Sequence, residues 1–290
     1  MNYRHAFHAG NFADLLKHAI VLDLLRRLTA AGAPLTVVDT HAGAGAYDLT
    51  GALARKTGEA EAGIGRLMAD AAAPAVFGAL KAAVARLNPQ PAGASVPVRR
   101  YPGSPLLIAQ SLRPGDRYLG CELRPDDGAA LRENLKGRAG AEARMADGWA
   151  TAPAETRVAA RAGRRVLVLI DPPFERGDDY PALALATHAI LAADPAAVVA
   201  IWTPLKDLAT FDRLLGEVED AALAAAGAAA PAVLVSEVRL RPLADPMRMN
   251  GCAMLVLNPP DGVEAQASAA AAWIAAHCGE AAARADTRRL

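Results

Sequence analysis

The sequence predicts an α/β fold in which a mostly parallel sheet is covered by helices on both faces. Short apolar runs of the kind that form strands alternate with stretches of helical periodicity from residue 35 onwards. Such alternation is typical of parallel strands joined by crossover helices. A chain of 290 residues, 53% of them hydrophobic, can build one such domain with an insertion, so we expect a single domain over 1–290.

The elements are predicted in a regular order along the chain. Apolar residues at helical spacing over 12–28 indicate an opening helix, with Asn11 as its N-cap and Gly32 beyond its end. A β-type run over 35–38 follows and leads into a glycine turn. Later elements are expected as helices over 104–112, 125–135, 182–192 and 206–215, strands over 118–122, 143–146, 166–170 and 198–202, and a closing hairpin from 232–238 and 252–257.

Residues 50–97 interrupt this alternation. The segment is rich in Ala, Gly and Pro, with a helical patch over 76–87 and no convincing strand. We therefore expect a small helical subdomain inserted into the sheet domain.

Composition constrains the compartment and the partner of the chain. The 31 basic and 31 acidic residues cancel, so a nucleic-acid partner would have to be held by locally arranged positive charge. The scattered Cys121, Cys252 and Cys278 indicate reduced thiols in a cytoplasmic protein rather than a disulfide framework or a zinc site. The opening residues lack a signal core, and the longest apolar region, 182–202, is interrupted by Pro195. We therefore expect neither a membrane protein nor a secreted one.

Polar residues follow the first predicted strand, where ligands bind in sheets of this type. Asp39 and His41 stand there beside the turn Gly43-Ala44-Gly45, whose missing side chains would let a ligand approach the backbone. A dinucleotide fingerprint would need a third glycine at the position of Asp48, whose carboxylate also repels a pyrophosphate. The turn therefore disfavours a phosphate-bearing dinucleotide.

Two further strand ends carry carboxylates. Glu122 stands where nucleoside-binding α/β proteins accept hydrogen bonds from both ribose hydroxyls. Asp147 can accept from an adenine amino group, and Gly148 would let the backbone pack against the ring. Taken singly, each is more often a solvated surface charge or an ordinary Asp-Gly turn. Their joint occurrence with the glycine turn, in order, predicts an adenosine-bearing cofactor without phosphates.

The sharpest signal follows the most apolar strand, at Asp171-Pro172-Pro173-Phe174. The lone pair of an exocyclic amine on a nucleobase is delocalised into the ring, so the nitrogen needs hydrogen-bond acceptors that pull on its N–H bonds. The Asp171 carboxylate supplies one acceptor and can take the proton as general base. Consecutive prolines donate no N–H and can leave the Pro172 carbonyl as the second acceptor, while Phe174 offers a ring for stacking a flipped base. The alternative is a rigid turn that merely ends the strand.

These motifs resemble a known family. Asp-Pro-Pro-Phe after a strand is similar to motif IV of amino-group methyltransferases, and residues 39–45 are similar to their motif I. The stretch 3–18 resembles the N-terminal signature of the bacterial 23S rRNA adenine-N6 methyltransferases of the RlmJ type, and residues 101–105 and 171–173 match the same family in order. The resemblance spans nearly the whole chain, as far as 258–260.

The resemblance implies a Rossmann-like class I methyltransferase that uses S-adenosyl-L-methionine to methylate the N6 of an adenine in 23S ribosomal RNA. Asp171 would be the catalytic acid/base residue, and Tyr3 would lie near the target adenine together with Pro172 and Phe174. Phe174 departs from the Tyr that the family often carries, which keeps stacking but removes a hydroxyl hydrogen bond. The implied cofactor contacts are His18, His41, Ser104, Glu122, Asp147, Gly148 and Asp171.

The histidines near the N-terminus have more than one interpretation. From the residues alone, His18 shares a helical face with Leu15 and Leu22 and would be a packed core histidine; the resemblance makes it a ligand. His5 and His8 lack further spaced ligands, so we expect no metal. We also expect a cytoplasmic monomer.

Other functions fit parts of the pattern. A guanine-N2 rRNA methyltransferase would use Asp-Pro-Pro-Phe equally well, and the N-terminal signature is what favours adenine. In protein glutamine methyltransferases, the motif at this position resembles Asn-Pro-Pro-Tyr. Those enzymes would not need the carboxylate. Outside the enzymes, the alternative is a non-catalytic RNA-binding protein on a Rossmann-like scaffold.

Local basic clusters are the candidates for contact with RNA phosphates, because the chain as a whole is neutral. For each residue, the alternative is an ordinary solvated charge. The clusters are Arg4, His5, His8 and Lys17 at the N-terminus, Arg161, Arg164 and Arg165 before the strand that ends at Asp171, and Arg239, Arg241 and Arg248 between the last two predicted strands.

Overall fold

The described part of the molecule contains one large sheet and one two-stranded sheet. The computed structural model describes residues 5–30, 32–51, 57–89, 97–175, 177–226, 231–244 and 249–290. The strands are β1 Leu35–Asp39, β2 Ala46–Asp48, β3 Arg100–Pro102, β4 Arg117–Cys121, β5 Ala141–Arg144, β6 Arg165–Ile170, β7 Val198–Pro204, β8 Val233–Arg239, β9 Gly251–Leu257 and β10 Arg284–Arg289.

Helices flank the large sheet. Among the described helices, none combines the length and the apolar character needed to cross a bilayer. A 3₁₀ turn lies at His5–Phe7, another at Ala75–Phe77, and a π-helical turn at Glu61–Gly65. The α-helices are α1 Phe12–Ala30, α2 Arg66–Ala69, α3 Gly78–Leu87, α4 Ser104–Ala109, α5 Pro125–Leu135, α6 Gly148–Arg161, α7 Asp179–Ala193, α8 Leu208–Ala226 and α9 Val263–Cys278.

The large sheet has a parallel half and an antiparallel half, in the order β10-β8-β9-β7-β6-β1-β4-β5. Strands β5, β4, β1, β6 and β7 are parallel to their neighbours within that half. Strands β9, β8 and β10 complete the sheet with antiparallel pairs. The predicted α/β class with a mostly parallel sheet is confirmed, and so is the hairpin of the last two apolar runs, in which Val233 lies opposite Leu257.

The carboxyl ends of the central parallel strands meet at one edge of the sheet. Asp39 at the end of β1 lies opposite Gly120 of β4 on one side and Leu169 of β6 on the other. Ile170 of β6 lies opposite Ile201 of β7. Loops that leave these four strands therefore start side by side, which is the arrangement that builds ligand sites in open α/β sheets.

Helix α1 is buried on nearly every side. Asn11 caps its start as predicted, since its Oδ1 accepts the backbone N–H of Ala13 at 2.9 Å and of Asp14 at 3.1 Å. The helix also carries Lys17 and His18 into the interior, where both are almost fully buried. A buried charge is tolerated only when it is paired, so Lys17 must find polar partners within the core.

The segment expected to form a helical insertion carries α2 and α3 in its described part. Its flanking strands β2 and β3 pair with each other, with Asp48 opposite Arg100. The sequence indicates neither strand, because three residues are too few for a recognisable apolar alternation. Asp70, just after α2, accepts a hydrogen bond from Trp273 Nε1 of α9 at 2.7 Å and joins the segment to the sheet domain. That residues 50–97 form a subdomain of their own stays a prediction.

Several elements differ from the sequence prediction. Helix α6 begins at Gly148 and contains Pro153, two residue types that disfavour helix interiors. Helix α9 is alanine-rich, and β10 is a charged edge strand without apolar alternation, so neither shows the expected pattern. Helix α8 extends to Ala226, well past the predicted end at 215, and the strand expected over 143–146 lies at Ala141–Arg144.

Candidate active site

A cavity of about 640 Å³ opens at the carboxyl edge of the parallel strands. This volume is usual for a ligand or cofactor site. Its walls come from α1, from the loops after β1, β4, β6 and β7, and from the start of α4. The predicted site residues that line it are His18, His41, Ser104, Glu122, Asp171 and Pro172.

Asp171 follows β6 directly and is held by a lysine of α1. The Nζ of Lys17 donates to Asp171 Oδ2 at 2.7 Å and lies 2.9 Å from Asp14 Oδ1. The second oxygen of Asp14 lies 3.0 Å from His5 Nε2. One histidine–carboxylate hydrogen bond and two lysine–carboxylate ion pairs thus connect the N-terminal turn to the carboxylate at the strand end.

The charges along this connection stabilise one another despite their burial. Burial disfavours the ionised carboxylate of Asp14, yet the positive charges of His5 and Lys17 hold its pKa well below the ordinary range. Burial likewise disfavours the ammonium of Lys17, but Asp14 and Asp171 raise its pKa well above the ordinary value. Lys17 is therefore a permanent cation beside Asp171.

A second buried carboxylate lies at the end of β1. Asp39 Oδ2 accepts hydrogen bonds from Ser104 Oγ at 2.9 Å and from the Tyr118 hydroxyl at 3.2 Å. Complete burial raises the pKa of Asp39 to about 7, and the negative charge of Asp171 acts in the same direction, while the two hydrogen bonds oppose it. Asp39 therefore titrates near neutral pH and fixes the position of the Ser104 hydroxyl on the cavity wall.

The glycine turn and Glu122 lie against each other. Gly43 has a φ of 63° and Gly45 a φ of 82°, so both adopt left-handed backbone that favours glycine. The Gly43 N–H donates to Glu122 Oε2 at 2.9 Å, and the Arg124 N–H donates to Oε1 at 2.8 Å. A carboxylate has about four acceptor positions, so Glu122 is oriented by the backbone and still has acceptor capacity facing the cavity.

His18 is buried and lines the cavity. Its Nδ1 lies 2.7 Å from the Tyr101 hydroxyl, and the two rings stack with centroids 5.5 Å apart. Burial lowers the pKa of His18 to about 3, so the ring is neutral. Within the described residues, its buried Nε2 has no hydrogen-bond partner. A buried nitrogen left unpaired in this way indicates a place for a ligand atom.

His41 forms another part of the wall. Its Nδ1 is hydrogen-bonded to Thr40 Oγ1 at 2.8 Å, and its ring meets Trp149 edge to face at 4.7 Å. Burial lowers the pKa of His41, so this ring is neutral at ordinary pH. The side chain is thus fixed in place without carrying charge.

Asp147 and Gly148 have structural explanations and are absent from the residues that line the cavity. Asp147 is the N-cap of α6, and its Oδ1 accepts the Trp149 N–H at 3.0 Å. A Cβ at Gly148 would overlap the Thr40 carbonyl, so glycine lets α6 pack against the end of β1. Their roles as cofactor contacts stay predictions.

Pro172 lines the cavity beside Asp171, whereas Phe174 does not. The Phe174 ring is only 3% exposed and packs against Tyr180 and Trp202, with centroids 4.9 Å and 6.1 Å away. Stacking of this ring on a base would require it to leave that packing, so the stacking role stays a prediction. Tyr3 lies outside the described residues.

The basic cluster before β6 is on the wrong side for contact with a substrate in the cavity. Arg164 precedes β6 and Arg165 begins it, whereas the cavity lies at the other end of that strand. Arg164 donates to the carbonyl of Leu35 at 2.8 Å, and Arg165 to the carbonyl of Leu28 at 3.2 Å. These arginines are therefore separated from the cavity by the length of β6, and contact between them and RNA stays a prediction.

The other basic clusters are also engaged in internal contacts. Lys17 is buried in its ion pairs and is not available to a phosphate. Arg239 pairs with Glu237 at 2.9 Å, and Arg241 pairs with Glu280 at 2.8 Å. Arg4 and Arg248 lie outside the described residues.

The sequence did not point to several residues that line or support the cavity. One signal could have indicated some of them. Asp14, Lys17 and His18 stand at positions i, i+3 and i+4 of an otherwise apolar helix, and therefore share one face of it. No pattern indicated the partners that come from distant segments. Asp14, Tyr47 and Lys206 line the cavity, and Tyr101 and Tyr118 lie behind its wall, hydrogen-bonded to His18 and Asp39.

The parallel sheet, the glycine turn beside Glu122 and the Asp-Pro-Pro at the next strand end define a Rossmann-like methyltransferase. The family model described as "Ribosomal RNA large subunit methyltransferase D, RlmJ" matches residues 32–288. The chain belongs to this family.

Two curated relatives and one solved structure agree with the match. "Ribosomal RNA large subunit methyltransferase J" of Escherichia coli K12 is 32% identical over 274 residues, covering 94% of this chain and 92% of that protein. The protein of the same name from Haemophilus influenzae is 33% identical over 270 residues, which cover 92% of this chain and 90% of that protein. A crystal structure of a protein from Legionella pneumophila superposes with a TM-score of 0.83 at 25% identity, covering 97% of this chain and 98% of that one.

Proposed function

We propose that the chain methylates the N6 amino group of an adenine in 23S ribosomal RNA, with S-adenosyl-L-methionine as the methyl donor. The observation that carries this proposal is that Asp171 and Pro172 share one cavity with Glu122 and the glycine turn. The names of the curated relatives support a large-subunit ribosomal RNA as the substrate.

The cavity wall offers polar groups that suit an adenosine-bearing sulfonium ligand. Glu122 keeps acceptors for ribose hydroxyls, and Ser104 offers a hydroxyl fixed by Asp39. The unpaired Nε2 of His18 is available to a polar atom of the ligand. When bound, the cofactor supplies an electrophilic methyl group on sulfur.

Asp171 and Pro172 would act on the target amine. Lys17 engages Asp171 Oδ2, and no described residue donates to Oδ1, which is left to accept an N–H of the amine. The Pro172 carbonyl, next along the chain, would accept the other N–H. Drawing both N–H bonds into hydrogen bonds opposes delocalisation of the nitrogen lone pair into the ring and makes the nitrogen more nucleophilic.

The proton balance assigns Asp171 a second role. When the nitrogen gains the methyl group it must release one proton, and Asp171 is the positioned carboxylate that accepts it. The ion pair with Lys17, 2.7 Å from Asp171 Oδ2, holds the carboxylate in place for that step. The base must leave its stack to reach this carboxylate, as other base-modifying enzymes require.

The test offers ribosomal RNA, a matched DNA and free adenosine to the protein with labelled S-adenosyl-L-methionine, and identifies the product nucleoside by mass spectrometry. N6-methyladenosine in the large-subunit RNA alone supports the proposal. A guanine N2 presents the same amine chemistry, so N2-methylguanosine would establish the guanine-specific alternative. RNA binding without transfer to any substrate would favour the non-catalytic scaffold and refute the proposal.

Three further expectations stay predictions. The chain is expected to be a cytoplasmic monomer and to need no metal ion. Within the described residues, no three His, Cys, Asp or Glu side chains are grouped as metal ligands would be. Sedimentation of the purified protein and assay in the presence of a chelator test the monomer and the metal independence.

A further inference from the structure

Lys206 lies in the loop between β7 and α8 and lines the same cavity. Its Nζ donates a hydrogen bond to the backbone carbonyl of Phe174 at 2.9 Å. Phe174 is the last residue of the Asp-Pro-Pro-Phe segment, three positions after Asp171. Lys206, which follows β7, therefore contacts the backbone of the segment that follows β6 and begins with Asp171.

The backbone at Phe174 is in an unfavourable conformation. Its φ of 50° lies in the left-handed region, which costs free energy for a residue with a Cβ and most for a bulky one. Among the described non-glycine residues, only Asn258 also has a positive φ, and asparagine tolerates that conformation. Such a conformation persists only where its surroundings hold it.

The two prolines restrict the backbone from Asp171 to Pro173, but they do not hold the left-handed turn at Phe174 by hydrogen bonds. Pro172 and Pro173 have no backbone N–H, so they donate no hydrogen bond that would fix the chain. The restraints come from elsewhere: the Phe174 ring packs against Tyr180 and Trp202, and the Phe174 carbonyl is bound by Lys206. The lysine bond is charge-assisted and therefore stronger than an ordinary amide hydrogen bond.

We propose that Lys206 is a positioning residue for methyl transfer, which keeps the left-handed turn at Phe174 and thereby the placement of Asp171 and the Pro172 carbonyl on the cavity wall. This role rests on the proposed function. A lysine suits it because the ammonium is a compact donor on a long stem and reaches a single carbonyl without needing a planar partner. The competing role is direct contact of Lys206 with an RNA phosphate, which the experiment separates.

The experiment compares Lys206→Met, which keeps the length of the side chain and removes its donors, with Lys206→Arg, which keeps a donor. The matched control is Lys136→Met, because Lys136 is a lysine with a 75% exposed side chain just after α5. We expect Lys206→Met to lower kcat by about ten- to a hundredfold, the scale on which small misplacements of reacting groups act. The affinities for S-adenosyl-L-methionine and for RNA should stay at wild-type values, and Lys206→Arg should recover most of the rate.

The pattern of losses decides between the two roles. A wild-type kcat in Lys206→Met overturns the proposal. So does a loss confined to KM for RNA with a flatter dependence of RNA binding on salt, because that result assigns Lys206 to a phosphate contact.

Crystal structures of the wild type and of Lys206→Met give a readout independent of activity. Departure of Phe174 from the left-handed region in the variant supports the positioning role, and an unchanged Phe174 backbone overturns it. If the wild type transfers no methyl group to RNA, the proposed function fails, and this structural comparison still decides whether Lys206 holds the segment.

Discussion

Burial and ion pairing fix the charge of several ionisable residues at or beside the cavity. Lys17 is held as a cation between two carboxylates, and His18 is held neutral by burial. Asp39 is the exception, because its pKa of about 7 places its ionisation within the physiological range. Roles at this scale are testable by substitutions that change charge while keeping shape.

Asp171→Asn keeps an acceptor oxygen but removes the charge and the proton acceptor. We expect turnover to fall by at least about a hundredfold, the lower end for loss of a positioned acid/base group, while cofactor affinity stays largely intact. Single-turnover methylation and titration calorimetry measure the two quantities. The control is Asp220→Asn on the exposed face of α8, which should match the wild type. A variant Asp171→Asn that methylates at the wild-type rate would refute the mechanism.

Glu122→Ala should weaken the binding of S-adenosyl-L-methionine by roughly 1.5 to 3 kcal/mol, because hydrogen bonds to a charged group are lost. Glu133→Ala is the control, since the Glu133 side chain is 75% exposed on α5. Titration calorimetry reports both affinities. Equal affinities in the wild type and Glu122→Ala would remove Glu122 from the cofactor site.

The buried Asp39 should give folding stability a particular pH dependence. Burial raises its pKa from 3.8 to about 7, so between these values the folded protein keeps a proton that the unfolded chain releases. The stability contributed by Asp39 is therefore complete below about pH 4 and is lost as the pH rises to about 7. Asp39→Asn abolishes this titration, so the wild type should lose stability relative to the variant over that window. Urea unfolding at several pH values tests this, and a difference that is constant with pH would contradict it.

At the scale of elements, the starts of helices are fitted closely to the strand ends. The first residue of α6 illustrates this, because Gly148 packs against the Thr40 carbonyl just after β1. The fit leaves no room for a side chain there, whereas the middle of α8 has space around Gly216. Two glycines within helices therefore respond in opposite ways to the same substitution.

Gly148→Ala is expected to destabilise the fold by about 1 to 3 kcal/mol, the usual cost of forcing an extra group into a packed place. Gly216→Ala should instead be neutral or stabilise by up to about 1 kcal/mol, because the added Cβ meets nothing within 4 Å beyond its chain neighbours and the backbone of its own helix, and alanine favours the helix. Urea unfolding midpoints compare the two variants. Equal effects of both substitutions would refute the packing argument.

At the scale of the whole molecule, net charge is zero and the position of each basic residue matters more than its number. The basic cluster before β6 lies at the edge of the sheet opposite the cavity. Arg99 and Arg100 lie instead on the cavity side, exposed, at the strand that pairs with the cavity-lining Asp48. RNA phosphates that approach the cavity should therefore meet this pair of arginines and not the cluster before β6.

The double variant Arg99→Ala with Arg100→Ala should weaken RNA binding and flatten its log–log dependence on salt by about one for each phosphate that an arginine no longer neutralises. Arg161→Ala, an exposed arginine at the end of α6, is the matched control and should leave the slope unchanged. Binding assays over a range of salt concentrations measure the slopes. A flatter slope only in Arg161→Ala would place the RNA on the opposite edge of the sheet.

The sequence by itself determined the fold class, the opening helix with its cap, and the strand ends that carry Asp39, Glu122 and Asp171. These features depend on local patterns, because apolar periodicity marks each element and parallel strands bring their carboxyl ends together whatever the loops contain. The hairpin of β8 and β9 was recognisable for the same reason. The charged edge strand β10 was not, because it is stabilised by pairing with β8 and lacks an apolar pattern of its own.

Only the tertiary structure decided which side chains meet. Lys17 and Asp171 are 154 positions apart in the chain, and no local pattern shows that a buried helix carries one to the other. The same limit explains why the burial of the Phe174 ring and the location of Arg164 could not be predicted. Contacts between distant segments depend on how the elements pack in three dimensions, whereas periodicity and turn chemistry act only over neighbouring residues.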